Sequence, residues 1–241
     1  MQGKQYPNPP IEEALVELRF DPGPEWDWTV PGMLRAKLPI YSNSHSTQQH
    51  LTVGVRGAGF VGGTGITRVH LATEDKAQLL GIGPDLISVH RLRPYDGWNN
   101  LRPRVEEALQ TYSDLQSPKG VARVGLRYVN KFAFHGSPSG LVKYVRTSLP
   151  VPERNESGVE RVITNAHVTL ASGAFVAITV AAARLDADKT ELTLDFDLTL
   201  DCSGAEPLSL DEVMSRIDGL RTEERLAFED MITDDARALF V

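Results

Sequence analysis

The chain has 241 residues, with 32 acidic side chains against 25 Lys and Arg, a formal net charge of -7 and a single cysteine. That balance disfavours a protein whose main work is sequence-independent binding to nucleic acid, and one thiol, Cys202, excludes a disulfide framework or a thiolate zinc cluster. The start Met1–Gln5 is polar and no run is apolar for long enough to span a bilayer, so a cytoplasmic, non-membrane protein is expected.

The first element is an alternating run, Ala14 to Phe20. It places Ala14, Val16, Leu18 and Phe20 on one face of a strand, with Glu17 and Arg19 pointing the other way. A short helix is expected from Thr29, with Pro31 tolerated in its first turn. Strands follow at roughly 48–55, 66–73 and 78–92, and a break at Gly81-Ile82-Gly83-Pro84 allows the last to be two. The first of these starts inside a polar stretch, 42–50, whose His45 and His50 read as exposed loop residues. Gly57 to Gly62 matches GxGxxG after a strand, but Ile66 to Leu71 then alternates like another strand, so the helix N-terminus that would hold a pyrophosphate is missing. The expectation is a mobile glycine-rich hairpin loop over 56–65, whose functional form would be a flap.

Trp98, Leu101, Val105, Ala108, Leu109, Tyr112 and Leu115 then recur at helical spacing. Around that helix Arg91, Arg93, Arg102 and Arg104 are interleaved with Glu106 and Glu107, which reads as a solvated face of mixed sign. The order begins again at Val124 to Phe132, where Leu126-Arg127-Tyr128 repeats the Leu-Arg-aromatic order of Leu18-Arg19-Phe20. A short helix near Ser139 ending before Pro150, strands at 160–170, 174–184 and 190–201, and a helix from Ser209 complete this half. Glu212, three residues after Ser209, makes a capping box, and Thr222 and Thr233 are candidate caps of further short helices.

A βαβββα pattern thus occurs twice, in 14–116 and 122–237. It implies an α+β fold built by tandem duplication, with repeats 1–118 and 119–241 in one integrated unit and antiparallel sheets backed by helices. The topology is similar to that of the TATA-binding protein, a likeness of fold alone.

No GxSxG elbow, HExxH pair or other catalytic signature occurs, so catalytic residues stay unknown and neither cofactor nor metal is expected. The last strand carries an acidic ladder: Glu191, Thr193, Asp195, Asp197, Thr199 and Asp201 on one face, with leucines and Phe196 on the other. Glu17, Arg19, Arg127 and Lys131 also point away from their apolar neighbours, so a shared sheet would present a face of both signs. The candidate binding residues are Glu17, Arg19, Arg127, Lys131, Asp195 and Asp197. Asn130, by contrast, shares the apolar face and needs hydrogen-bond partners there.

The opening Tyr6-Pro7-Asn8-Pro9-Pro10-Ile11-Glu12-Glu13-Ala14 with Glu17-Leu18-Arg19-Phe20, the Tyr95-Asp96-Gly97-Trp98 block and Gly125-Leu126-Arg127-Tyr128-Val129-Asn130 together resemble a sporadically distributed, largely uncharacterised bacterial family of similar length. The resemblance implies patchy occurrence among bacteria, as for genes of accessory or defence islands. It brings no activity, substrate or catalytic residue. The leading expectation is a non-enzymatic binding or regulatory protein whose polar sheet face holds a protein partner, with homo-oligomerisation left open. The alternative is a small-molecule or nucleotide binder or hydrolase, with a pocket between sheet and long helix.

Overall fold

The apolar stripe of the first strand, β1 (Ile11–Phe20), decides where that strand sits, because Ala14, Val16 and Leu18 are almost fully buried while Glu13, Glu17 and Arg19 stay partly exposed. The computed structural model describes residues 6–21, 26–56, 59–149, 158–204 and 206–241, and only the backbone of 44–67. After β1 come α1 (Val30–Lys37), β2 (Asn43–Arg56), β3 (Gly59–Ala72), β4 (Gln78–Gly83), β5 (Leu86–Leu92) and α2 (Trp98–Gln116). Then follow β6 (Val121–His135), a 3-10 helix (Pro138–Lys143), β7 (Arg161–Thr169), β8 (Phe175–Arg184), β9 (Lys189–Asp201), α3 (Leu210–Met231) and α4 (Asp234–Arg237).

The strands form one antiparallel sheet in the order β2-β3-β4-β5-β1-β6-β9-β8-β7. β1 lies in its interior, bonded to β5 on one side and β6 on the other, so the two halves of the chain share one sheet. The helices bury their apolar faces on one side of it: Leu34, Leu101, Val105, Val213 and Ile217 join Val16, Leu126, Leu194 and Phe196 in one core. The 3-10 helix adds Leu141 to the same core.

The fold is α+β with an antiparallel sheet and helices, as the alternation implies. Several details differ from the pattern in the chain, the first being that the polar stretch 42–50, read as exposed loop, is strand from Asn43 onward. The segment 78–92 is two strands, because Pro84 and Asp85 turn the chain, so the first half carries five strands. The glycine-rich stretch is strand from Gly59 onward, since β2 supplies a ladder partner for each residue from Gly59 to Gly65; only residues 57–58 at the tip lie outside the described residues. Glycine weakens a strand without forbidding it. The helix near Ser139 is a single 3-10 segment of 6 residues, too short for its own cooperative ladder. Thr222 caps nothing, because α3 runs through it and its hydroxyl donates back to the Asp218 carbonyl at 3.0 Å. Ser209 and Glu212 do form the capping box, and Thr233 caps α4.

A polar network is buried between α3 and β6. Glu224, 2% exposed, pairs with Arg221, whose guanidinium lies 4.4 Å from the centre of the Tyr128 ring. The Tyr128 hydroxyl in turn hydrogen-bonds Tyr95 at 2.8 Å. Burial pushes the Glu224 carboxyl up to about 7, against the pull of Arg221. Removing one partner of such a pair leaves the other charge uncompensated in the interior. Glu224→Ala is expected to destabilise the protein by about 3–5 kcal/mol in denaturant unfolding, and the joint Arg221→Met, Glu224→Leu replacement to cost much less.

Candidate functional site

The face of the sheet opposite the helices is charged. Register places on it Arg68 and His70 of β3, Gly81 of β4, Ser88 and His90 of β5, Glu13, Glu17 and Arg19 of β1, Arg123 and Arg127 of β6, and the acids of β9. Among the described residues no helix packs there, and the side chains of Arg19, Arg123 and Arg127 are 37%, 43% and 42% exposed.

The charges fall into two groups. In the first, Glu17 accepts from three arginines: Arg68 at 2.6 Å, Arg19 at 2.9 Å and Arg123 at 3.2 Å. Burial opposes ionisation of Glu17, but Arg68, Arg19 and Arg123 overcome it and hold its carboxyl below the usual range. In the second, Arg127 forks onto Asp195 with bonds of 2.9 and 2.7 Å, although register puts Arg127 directly across from Asp197. Asp197 is therefore left without an ion pair among the described residues. Shielding by the surrounding face raises its pKa, Arg127 pulls it down, and neighbouring Asp195 pushes it up again.

Of the six residues expected on this face, Glu17 and Arg19 meet in the first group, Arg127, Asp195 and Asp197 stand together in the second, and Lys131 lies at the far end, where its backbone N–H bonds the Pro10 carbonyl. Arg68, Arg123, Glu13, Ser88 and His90 complete the face. Arg68 reaches Glu17 from three strands away because Gly81 and Ser88 leave its path low. A Cβ at Gly81 would stand 2.3 Å from the Ser88 Oγ and 3.1 Å from the Arg68 Cδ. The signal in the chain was Gly81 itself, a glycine inside a strand, which marks a close approach. Asn130 finds its partner in the Leu194 carbonyl, 3.2 Å from its side-chain nitrogen.

Under Arg68 lies a chain with the outline of a nucleophile, base and acid. The Ser88 Oγ is 2.9 Å from the His90 Nε2, and the His90 Nδ1 donates to the Glu13 Oε1 at 2.7 Å. His90 holds the Glu13 carboxyl below its ordinary value, chiefly by that hydrogen bond. The serine, however, is fully buried, and β5 is bonded on both sides by β4 and β1, so its amides are committed to the ladder and none forms an oxyanion hole. The relay fixes the face and offers a substrate no approach.

Elsewhere the arginines of the middle region are paired: Arg91 and Arg104 take opposite oxygens of Asp96 at 3.1 and 2.9 Å, Arg102 holds Asp218 at 3.0 Å, and Arg93 is 3.6 Å from Glu12. Two clefts stand out, neither of them lined by a described residue of β2 or β3. One, about 280 Å³, lies between the ends of α2 and β1 and the start of α3; the other, about 500 Å³, is walled by Pro9, Pro10, Pro94, Tyr95, Lys131 and Phe240. Neither lining includes an acid, a histidine or a cysteine. The larger cleft is where the opening Tyr6–Ile11 block and Tyr95 come together, with the Tyr6 ring edge-on to Phe240 at 5.4 Å. Cys202 is buried, and burial pushes its thiol up. Among the described residues no group of His, Cys, Asp or Glu stands close enough to hold a metal, and no helix is long and apolar enough to cross a membrane.

No protein-family model matches the chain, and no curated protein matches it.

Two outcomes are expected from this geometry. Gly81→Ala forces Ser88 and Arg68 apart and costs about 1–3 kcal/mol, and Ser88→Ala in the same chain recovers much of it in thermal unfolding. Because the folded-state pKa of Glu17 lies below its ordinary 4.5, its contribution is complete above that value and is lost as pH falls through the folded pKa. Glu17→Gln therefore flattens the acid limb of a stability-versus-pH curve measured with urea.

Proposed function

We propose that the chain is a non-enzymatic binding or regulatory protein, cytoplasmic, that holds a protein partner on its charged sheet face. The observation that carries this reading is the second charged group: Arg127 is pinned to Asp195 by two bonds, leaving Asp197 unpaired and shielded on an uncovered face. Such a group is ready to accept a donor from a partner at little ordering cost. Glu17, Arg19 and Lys131 extend the surface along β1 and β6. The acids along β9 repel phosphate backbones, which disfavours nucleic acid as the partner. The sealed Ser88–His90–Glu13 relay, and clefts lined by no carboxylate, histidine or cysteine, weigh against hydrolysis. A role in an accessory or defence-type bacterial gene set follows from the resemblance alone.

Strand order runs outward from β1 and β6 in both directions, β5-β4-β3-β2 on one side and β9-β8-β7 on the other. That mirrored order supports a tandem duplication with a topology like the TATA-binding protein, the first repeat having gained a strand.

A second reading is supported by the larger cleft, whose prolines, aromatics, Arg93 and Lys131 suit a small anionic ligand. The two are separated by affinity purification from the native host with native mass spectrometry of the eluate. A protein retained by the wild type and lost from an Arg19→Ala, Arg127→Ala variant that still folds is the expected result. Retention of the same protein by that variant would sink the placement on the sheet face, and a bound small molecule lost on Lys131→Ala would favour the cleft.

A further inference from the structure

β7 closes one end of the sheet, and among the described residues nothing pairs with its outer edge. Exposed edges in monomeric proteins are normally blunted by lysine, proline, a bulge or shortness. β7 has none of these. Its nine residues, RVITNAHVT, pair with β8 in unbroken register from Arg161↔Ala183 to Thr169↔Phe175, and beyond Arg161 the strand carries no Asp, Glu, Lys or Arg. The opposite edge strand, β2, is different: its register with β3 shifts twice, between Ser44 and Ser46 and between Gln48 and Gln49, and such irregularities spoil an edge for further pairing.

Exposed apolar side chains flank β7 on both sides of the sheet, among polar neighbours. Ile163 and Phe175, 55% and 37% exposed, stand on the charged side, and Val168, 42% exposed, on the helix side. An edge with exposed apolar side chains above and below has the character of an interior strand.

We propose that β7 is a dimer interface, pairing antiparallel with β7 of a second copy of this chain about a two-fold axis at Asn165. The strand is complementary to itself in that register, as a two-fold contact requires. With Asn165 opposite Asn165 of the second copy, Val168 faces Val162, Thr164 faces Ala166, and Arg161 faces Thr169. The exposed Val168 meets the nearly buried Val162, and Ile163 meets His167, whose ring packs edge-on to Phe175 at 5.2 Å. No like charges oppose one another, and the two sheets become continuous.

The test is the mass of the full chain in solution, by sedimentation equilibrium over a concentration series. The wild type is expected at twice the 26.5 kDa chain mass. Ile163→Lys weakens the dimer about tenfold, because symmetry applies the lost contact twice. Ile163 and His167 lie on the exposed surface, so the circular dichroism of the variants stays that of the wild type, as does their unfolding at concentrations low enough for every chain to be monomeric. The double variant Ile163→Lys, His167→Glu restores dimerisation, since only this register sets the introduced lysine of one copy against the introduced glutamate of the other. A wild type that stays at one chain mass overturns the proposal, as does a dimer indifferent to Ile163→Lys, or a double variant no tighter than the single one. A monomer that takes up an extended strand of another protein at this edge also overturns it. The oligomeric state reads this edge alone and is indifferent to whether the charged face holds a partner.

Discussion

The alternation of a buried, mostly apolar face with a charged one along β1, β6 and β9 is the constraint on which the rest of the structure depends. Because the side-chain period of a strand is two, a slip of one residue would turn Glu17, Arg127 and Asp195 into the core and expose Val16, Leu126 and Phe196. Each charge so buried would cost several kcal/mol. The surface pairs themselves are worth little singly, so the charged face acts chiefly by specifying register. The same face is the best candidate for binding, and the two roles do not conflict, since register demands charge while recognition depends on how the charges pair.

Elements governed by local rules were legible in the chain. The period-two runs of β1 and β9, the apolar stripe of α2 and the Ser209 capping box are each written within one stretch of residues. What could not be read is what assembles across strands. That Arg68 crosses Gly81 to reach Glu17 depends on the order β3-β4-β5-β1, which no spacing encodes. Arg127 choosing Asp195 over Asp197 is likewise a matter of diagonal reach across a twisted ladder. The glycines of β3 misled for a related reason: their intrinsic preference is for turns, and only the presence of β2 overrides it.

Ser88, His90 and Glu13 show how closely a sheet can approach the outline of a catalytic site without having its chemistry. Interior strands spend their amides on neighbours, and nothing is left to stabilise a developing negative charge. Loops and helix ends, where amides are unspent, are the places that can. The two charged groups of the sheet face sit instead on interior strands, solvated from one side only. That is a surface suited to recognition.

β1 has one further consequence, for synthesis. It leaves the ribosome before both of its neighbours, β5 and β6, and β6 begins only at Val121. At about 5–20 residues per second, its apolar stripe waits on the order of ten seconds for a second partner. Through that interval Ala14, Val16, Leu18 and Phe20 form a sticky nascent segment, so chaperone occupancy of the growing chain should peak before β6 emerges and fall as it docks.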